Sequence, residues 1–367
     1  MRILYVAPQI ANFGGLVRVL SIKLNYLAEK GYDIHLLTQN KGRENSIFDV
    51  FNSKIKQHDI TLNGNKLLFF FRYRKQINQK IKEINPDIIV VCDNGLKGYL
   101  LPFIVKTKIP LLFESHGSKY IQETEPKAGI INSLLQRLVW KFKDIGIKKY
   151  SKLILLTPAI AKDWKHDAIE IINNPIWFRC DTPASLISKK AIAVGRHSYE
   201  KGFDRMLNIW KRIIQKHPEW VLDIYGDSNG TVDLKVLADY LAINENVNFY
   251  SFSNTIEEKY PDYSICMMTS RSEGFPMVAI EAMTCGLPVI AYDCPGGIQG
   301  IVTNNYNGFL IEDGKEDAFY NQLNLLIENH ETRETLGKNA RESVQKLSIE
   351  SIMKQWEELF DRVYKDK

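Results

Sequence analysis

The residues best suited to chemistry lie together in Ser270-Arg-Ser-Glu273-Gly274-Phe275-Pro276-Met277-Val278-Ala-Ile-Glu281-Ala-Met-Thr-Cys-Gly286-Leu-Pro288. Two carboxylates, Glu273 and Glu281, stand eight positions apart. On one helix, at about 100° per residue, they would diverge by about 80°. With Glu273 in a loop before the helix, both can reach parts of one ligand. Gly274 permits a tight turn, and Pro276 suits a first helical turn because its missing N–H is not needed there. Met277 to Cys285 then form a short helix closed by Gly286 and Pro288. Its N-terminus, at Met277 and Val278, offers free N–H groups and a positive dipole end, which suits a diphosphate. Glu281, about one turn inside, can accept hydrogen bonds from ribose hydroxyls. The plainer reading of both carboxylates is solvated surface charge.

These residues need a frame, and the sequence supplies two. Ile3–Ala7, Ile34–Thr38, Ile88–Cys92, Leu111–Glu114 and Leu153–Thr157 are short apolar runs, as expected of parallel strands buried on both faces. A helix is expected from about Leu16 to Lys30, ended by Gly31. A second series follows at Ala191–Gly195, Val221–Tyr225, Val247–Tyr250, Ile265–Thr269 and Val289–Tyr292, with helical patterns at Asp204–Lys216 and Leu234–Leu241. Two successive βαβ arrays predict an α/β chain of two Rossmann-like, doubly wound domains. We expect one at 1–180, a second at 185–345, and a C-terminal helix at 346–367 that crosses back to the first. The join falls between Asn174-Pro175 and Lys190. The last helix, about Ile349 to Tyr364, carries Ile352, Trp356, Leu359, Phe360 and Val363 on one face.

The chain has 367 residues, too many for one ordinary core and comfortable for two. No run of about 18 apolar residues is present, so no transmembrane helix is expected. Met1 to Ala7 is a buried strand in pattern, not a signal peptide. Cys92, Cys180, Cys266, Cys285 and Cys294 are scattered without metal-ligand spacing, as expected of reduced, mostly buried thiols in a cytoplasmic protein. Charge is uneven. Residues 1–183 hold 28 Lys and Arg against 16 Asp and Glu, a net +12, whereas residues 184–367 hold 20 against 27, a net −7. This is either surface solvation or a first domain that faces something anionic: membrane phospholipid, a lipid-pyrophosphate or nucleic acid. The basic-aromatic stretches Lys66–Lys75 and Arg137–Lys143 suit a membrane interface, or are packing helices with aromatics in the core.

Glu273-x7-Glu281, with Gly-Phe-Pro after the first Glu, resembles the signature of the retaining glycosyltransferases of family 4, which have the GT-B fold of two Rossmann-like domains facing a cleft. The resemblance runs through the chain. Gly195-Arg196 with Lys201-Gly202-Phe203-Asp204 resembles the family's phosphate-binding segment, and Asn12-Phe13-Gly14-Gly15 its first glycine-rich loop. Ser115-His116-Gly117 resembles its first-domain histidine segment. Asp293-Cys294-Pro295-Gly296-Gly297 resembles a segment of members that use UDP-hexose or UDP-N-acetylhexosamine.

The resemblance implies a retaining transfer of hexose or N-acetylhexosamine from a nucleotide-diphosphate sugar, UDP-linked by expectation, to a glycan or lipid-linked acceptor. Catalytic roles fall to His116, Glu273, Arg196 and Lys201. Substrate-binding roles fall to Gly14, Gly15, Gly274, Phe275, Pro276, Met277, Val278 and Glu281. A leaving diphosphate gathers negative charge that something cationic must meet. The chain has no DxD-type pair for a metal, so no metal or other cofactor is expected, and Arg196 and Lys201 are the replacement. Each, taken alone, is also readable as a surface charge, Gly14-Gly15 as a simple turn, and His116 as a satisfied buried histidine. Phe252-Ser253-Asn254 is where the base would stack. Nucleic acid is not expected as a partner; a peripheral membrane surface on the inner face of the cell membrane is. The competing readings are a sugar-nucleotide epimerase or phosphorylase of the same fold, and a non-catalytic nucleotide-sugar-binding protein.

Overall fold

A computed structural model describes residues 1–8, 15–39, 50–62, 68–120, 130–228 and 233–366. They divide into two compact units. The first takes the described residues within Met1–Lys119, Ala128–Trp177 and Leu347–Lys367; the second takes Tyr120 and Phe178–Lys346.

The first unit runs β1 (Arg2–Val6), α1 (Gly15–Glu29), β2 (Asp33–Thr38), β3 (Lys56–Asp59), α2 (Phe69–Ile84), β4 (Ile88–Val91), α3 (Leu96–Ile104), β5 (Leu111–Ser115), α4 (Ile130–Ile147), β6 (Lys152–Leu155), α5 (Pro158–Ala161) and β7 (Ile169–Ile171). Its strands form one parallel sheet in the order β3-β2-β1-β4-β5-β6-β7. The second unit runs β8 (Lys190–Val194), α6 (Phe203–Lys216), β9 (Val221–Tyr225), α7 (Leu234–Leu241), β10 (Val247–Tyr250), β11 (Ile265–Met268), α8 (Met277–Thr284), β12 (Val289–Asp293), β13 (Gly308–Glu312), α9 (Glu316–Glu328) and α10 (His330–Val344). Its parallel sheet has the order β10-β9-β8-β11-β12-β13. The last helix, α11 (Ile349–Lys365), belongs to the first unit. Each is a Rossmann-like sheet. The order reverses between β1 and β4 and between β8 and β11, and α/β sheets offer ligand sites at the carboxyl ends of such strands.

The central strands follow from composition. Ile88-Ile-Val-Val91 is buried at every position, as a strand covered on both faces by helices requires. In α6, Phe203, Met206, Leu207, Trp210 and Ile213 recur at spacings of three and four and all are buried. Each such side chain contributes roughly 1.5–3 kcal/mol when fully buried. Trp210 also donates its indole N–H to the Asn246 carbonyl at 3.0 Å. At the end of α1, Gly31 takes φ 88°, and the N–H groups of Gly31 and Tyr32 close on the carbonyls of Ala28 and Leu27.

Three strands lie outside the apolar runs named above: β3, β7 and β13, of which only β13, Gly-Phe-Leu-Ile-Glu, has a clear apolar run. All lie at sheet edges, where one side faces no partner strand, and β3 reads Lys-Gln-His-Asp. In the basic-aromatic stretches, Tyr73 is core while Phe70, Phe71 and Leu138 are exposed; Lys66 lies outside the described residues. Cys92, Cys266, Cys285 and Cys294 are buried thiols and Cys180 is half-buried. Among the described residues no helix is long and apolar enough to cross a membrane.

Candidate functional site

The loops that leave β8 and β11 meet at the reversal point of the second sheet. After β8 the chain passes Gly195 and Arg196, makes a 3-10 turn at Tyr199–Lys201, and enters α6 through Gly202 at φ 64°. A side chain at 202 would put its Cβ 2.1 Å from the Thr269 carbonyl, so only glycine lets the two loops close on each other. The closure brings Lys201 Nζ to 2.8 Å from Glu273 Oε1, across 72 residues of sequence. Ser270 donates its hydroxyl to the same oxygen at 2.5 Å. Burial alone would lower the Lys201 ammonium's pKa. The Glu273 charge and hydrogen bond outweigh it and hold the group above the ordinary lysine value.

Glu273 is fixed through its backbone as well. Its N–H donates to the Pro295 carbonyl at 3.1 Å, and its carbonyl accepts from Gly297 at 3.2 Å. It thereby forms a parallel bridge with Gly296, where an added Cβ would stand 1.6 Å from the Glu273 carbonyl oxygen. The Pro295-Gly296-Gly297 segment after β12 is thus the floor on which Glu273 rests. Gly274, Phe275 and Pro276 are buried behind it, and α8 opens at Met277, which is half-buried like Val278. Ala279, Ile280, Ala282 and Met283 are all fully buried, and Glu281 is carried among them. Its Oε2 accepts from the Tyr260 hydroxyl at 2.9 Å. Burial, and then the Glu281 charge, push that phenol's pKa well up.

Arg196 is 67% exposed and pairs with Glu200 at 2.8 Å. A bidentate ion pair of the region joins two residues to which no role was assigned from sequence. Arg271 meets Asp204 through both nitrogens, at 2.9 and 2.6 Å, and donates to the Tyr199 carbonyl at 2.7 Å. It clamps the Lys201 turn to the β11 loop. Ser270 and Asp204 stand within the segments quoted above without a role, since a serine near a glutamate is common and the Asp204 partner lies 67 residues away. The second unit also has a cleft of about 430 Å³ lined by His197, Asp227, Lys235 and Tyr250, at the carboxyl ends of β8, β9 and β10.

The structure gathers Lys201, Glu273 and the Gly274–Glu281 segment in the second unit. Gly15 and His116 belong to the first. Gly15 opens α1 and is exposed; Gly14, with Asn12 and Phe13, lies outside the described residues. His116 follows β5 at its carboxyl end, with Nε2 3.1 Å from Glu114 Oε1. With its amide oxygen turned inward, Asn94 accepts from the His116 and Gly117 N–H groups at 3.2 and 3.0 Å. Glu114 is itself paired to Lys23 inside the unit, a contact across 91 residues that no local pattern announces.

Comparison with known proteins agrees with this division. Residues 13–176 match the model of Glycosyltransferase Family 4, and residues 182–343 match that of Glycosyl transferases group 1. An uncharacterized glycosyltransferase of Haemophilus influenzae is 29% identical over 357 residues, covering 95% of this chain and 96% of its own. The amylovoran biosynthesis glycosyltransferase AmsD of Erwinia amylovora is 28% identical over 375 residues, covering 98% and 99%. Among solved structures, HepE of Anabaena in complex with UDP superposes with a TM-score of 0.78 at 20% identity, covering 99% of this chain and 100% of its own. With one model on each unit and GT-B neighbours over its whole length, the chain is a glycosyltransferase of family 4 with the GT-B fold.

Proposed function

We propose that this glycosyltransferase retains anomeric configuration, needs no metal, and moves a hexose or N-acetylhexosamine from a UDP-sugar to a glycan or lipid-linked acceptor. The observation that carries the reading is the Lys201–Glu273 pair at the carboxyl ends of β8 and β11. As the glycosidic bond breaks, negative charge grows on the leaving diphosphate. Lys201, held in its charged form by Glu273, meets that charge together with the exposed Arg196 and the N-terminal end of α8. The acceptor hydroxyl attacks the anomeric carbon from the face the diphosphate leaves, and its proton passes to the departing phosphate oxygen. Glu273 is no nucleophile in this scheme. With one oxygen taken by Lys201 and Ser270, it positions sugar hydroxyls and faces positive charge at the anomeric carbon. Glu281 receives the ribose, and Phe252, two residues past β10, the base. In the first unit His116 addresses the donor sugar, and Gly15 the phosphate or acceptor.

HepE has been solved with UDP and with UDP-glucose, and TarM of S. aureus with UDP; both support a uridine donor. A lipid-linked acceptor would bring the chain to a membrane surface. Exposed Phe70 and Phe71 on α2, and Leu134, Leu135 and Leu138 on α4, support this. They are interspersed with Lys75, Arg137 and Lys141, without an acidic residue in 68–75 or 132–141. Apolar side chains among cations suit anionic lipid. The test of the donor reading is thermal shift in the presence of a chelator. UDP at millimolar concentration raises the melting temperature. No shift with either UDP or GDP would sink the donor site, and an inverted anomer in the product would sink the retaining mechanism.

A further inference from the structure

We infer that Lys23 and Glu114 are positioning residues for His116, and that Trp356 of α11 holds their network closed. The inference rests on the reading that His116 addresses the donor sugar.

Glu114 lies in β5 and His116 is the first residue beyond it, and their side chains meet. The Glu114 side chain is fully buried and that of Lys23, from the middle of α1, is 1% exposed; the two form an ion pair. Each carboxylate oxygen accepts one hydrogen bond. Oε1 meets Lys23 Nζ and lies 3.1 Å from His116 Nε2, while Oε2 accepts from the Cys92 thiol at 3.3 Å. Burial pushes the Glu114 carboxyl up, but Lys23 and then His116 pull it well below the usual carboxylate range. The far side of the ammonium is closed by aromatic rings. Nζ stands 3.7 Å from the centre of the Trp356 ring and 5.8 Å from that of Tyr5.

Cys92, Glu114 and His116 bring sulfur, oxygen and nitrogen within 4.8 Å of one another, a spacing that a metal ion could use. Lys23 already occupies the cation position on Glu114, and a second cation on the same buried oxygen would be repelled. The cluster is therefore built around the lysine. The Asn94 amide fixes the main chain of His116 and Gly117, and the Glu114 charge faces the imidazole Nε2 at 3.1 Å, a distance from which it orients the ring electrostatically. Replacing a buried ion pair by neutral groups of similar volume is often nearly neutral for stability. What such a replacement removes here is the anchor of the ring, and a misplacement of about 1 Å can cost roughly 100-fold in rate.

The experiment uses the full chain carrying Lys23→Met and Glu114→Gln together, so that no buried charge is stranded. The expected result is a melting temperature near that of wild type, a kcat lower by about 10- to 100-fold, and a Kd for UDP within about twofold of wild type. In a His116→Ala background the same pair of changes alters kcat by less than about twofold, because the residue they position is gone. Should the double variant lose stability, Trp356→Leu carries the same comparison: a lower kcat at unchanged UDP affinity. Wild-type turnover in the double variant, or an equal loss with and without His116, overturns the inference while leaving the donor site intact. Wild-type turnover in His116→Ala alone removes the reading of that histidine, and the inference with it.

Discussion

The two units repeat one strand order, and each buries a lysine–glutamate pair, but at different depths. Lys201 and Glu273 retain 20% and 7% of their side-chain exposure; Lys23 and Glu114 retain 1% and 0%. The shallow pair sits on loops at the reversal point of its sheet. The deep pair joins a helix interior to a strand, beneath rings of Tyr5 and Trp356. Depth decides what a charge pair can do. A pair on loops keeps an atom for a ligand, whereas one sealed inside can act only on its protein neighbours, and the neighbour in question is His116.

The largest effect separating the two is expected in catalysis. Lys201→Met lowers kcat by about 10²- to 10³-fold, the usual scale for one lost transition-state contact; steady-state transfer assays check it, and a loss under tenfold breaks the contrast. In stability the ranking reverses. Lys23→Met alone strands Glu114 and costs about 3–5 kcal/mol, visible as a lower denaturant midpoint at unchanged slope. Lys201→Met costs less. Equal losses would mean that depth is irrelevant.

The pairs also act on opposite limbs of the stability–pH curve. Glu114 has its folded pKa depressed, so its contribution is present above the unfolded value of about 4.3 and is lost as pH falls below it. Lys201 has its folded pKa raised, so its contribution is present below the unfolded value of about 10.4 and is lost as pH rises through the folded one. Melting temperatures between pH 5 and 3 should therefore fall less steeply in Lys23→Met/Glu114→Gln than in wild type.

A finer cut divides the segment from Glu273 to Glu281 itself. Glu281→Ala weakens UDP binding by about 10- to 100-fold, the scale of a hydrogen bond to a charged group, whereas Glu273→Ala mainly slows transfer at near-normal UDP affinity. Turnover within about twofold of wild type in both variants would remove the site assignment. Smallest is the surface effect: Leu134→Ser/Leu138→Ser weakens co-sedimentation with anionic vesicles. Binding of the wild type also weakens at half-molar salt, since the Debye length there is only about 4 Å.

Much of this architecture was legible before any coordinates. Strands with partners on both sides, such as Ile88–Val91 and Val221–Tyr225, declare themselves as apolar runs. Gly31 and Gly286 close helices where a left-handed residue is needed. Of the edge strands only Val247–Tyr250 was legible; Lys56–Asp59 and Ile169–Ile171 have too little buried surface to require apolar side chains. Between Ser270 and Pro288 the sequence sufficed to place Glu273 in a loop ahead of a helix beginning at Met277. It did not show what holds that loop. The Arg271–Asp204 clamp, the Gly296 floor and the Lys23–Glu114 pair all join residues far apart in sequence, and local periodicity carries no information about such contacts.

One feature of the chain path bears on the order of assembly. Leu347–Lys367 completes the first unit, while Phe178–Lys346 lies wholly in the second. During synthesis the second sheet can close as soon as its own residues emerge. The first must wait, with Lys23 and the apolar face of α1 uncovered, until Trp356 and Phe360 arrive after all of Phe178–Lys346 has been made. The first unit is thus sealed after the second has been made, and α11 acts as the latch that converts an open sheet into a finished domain.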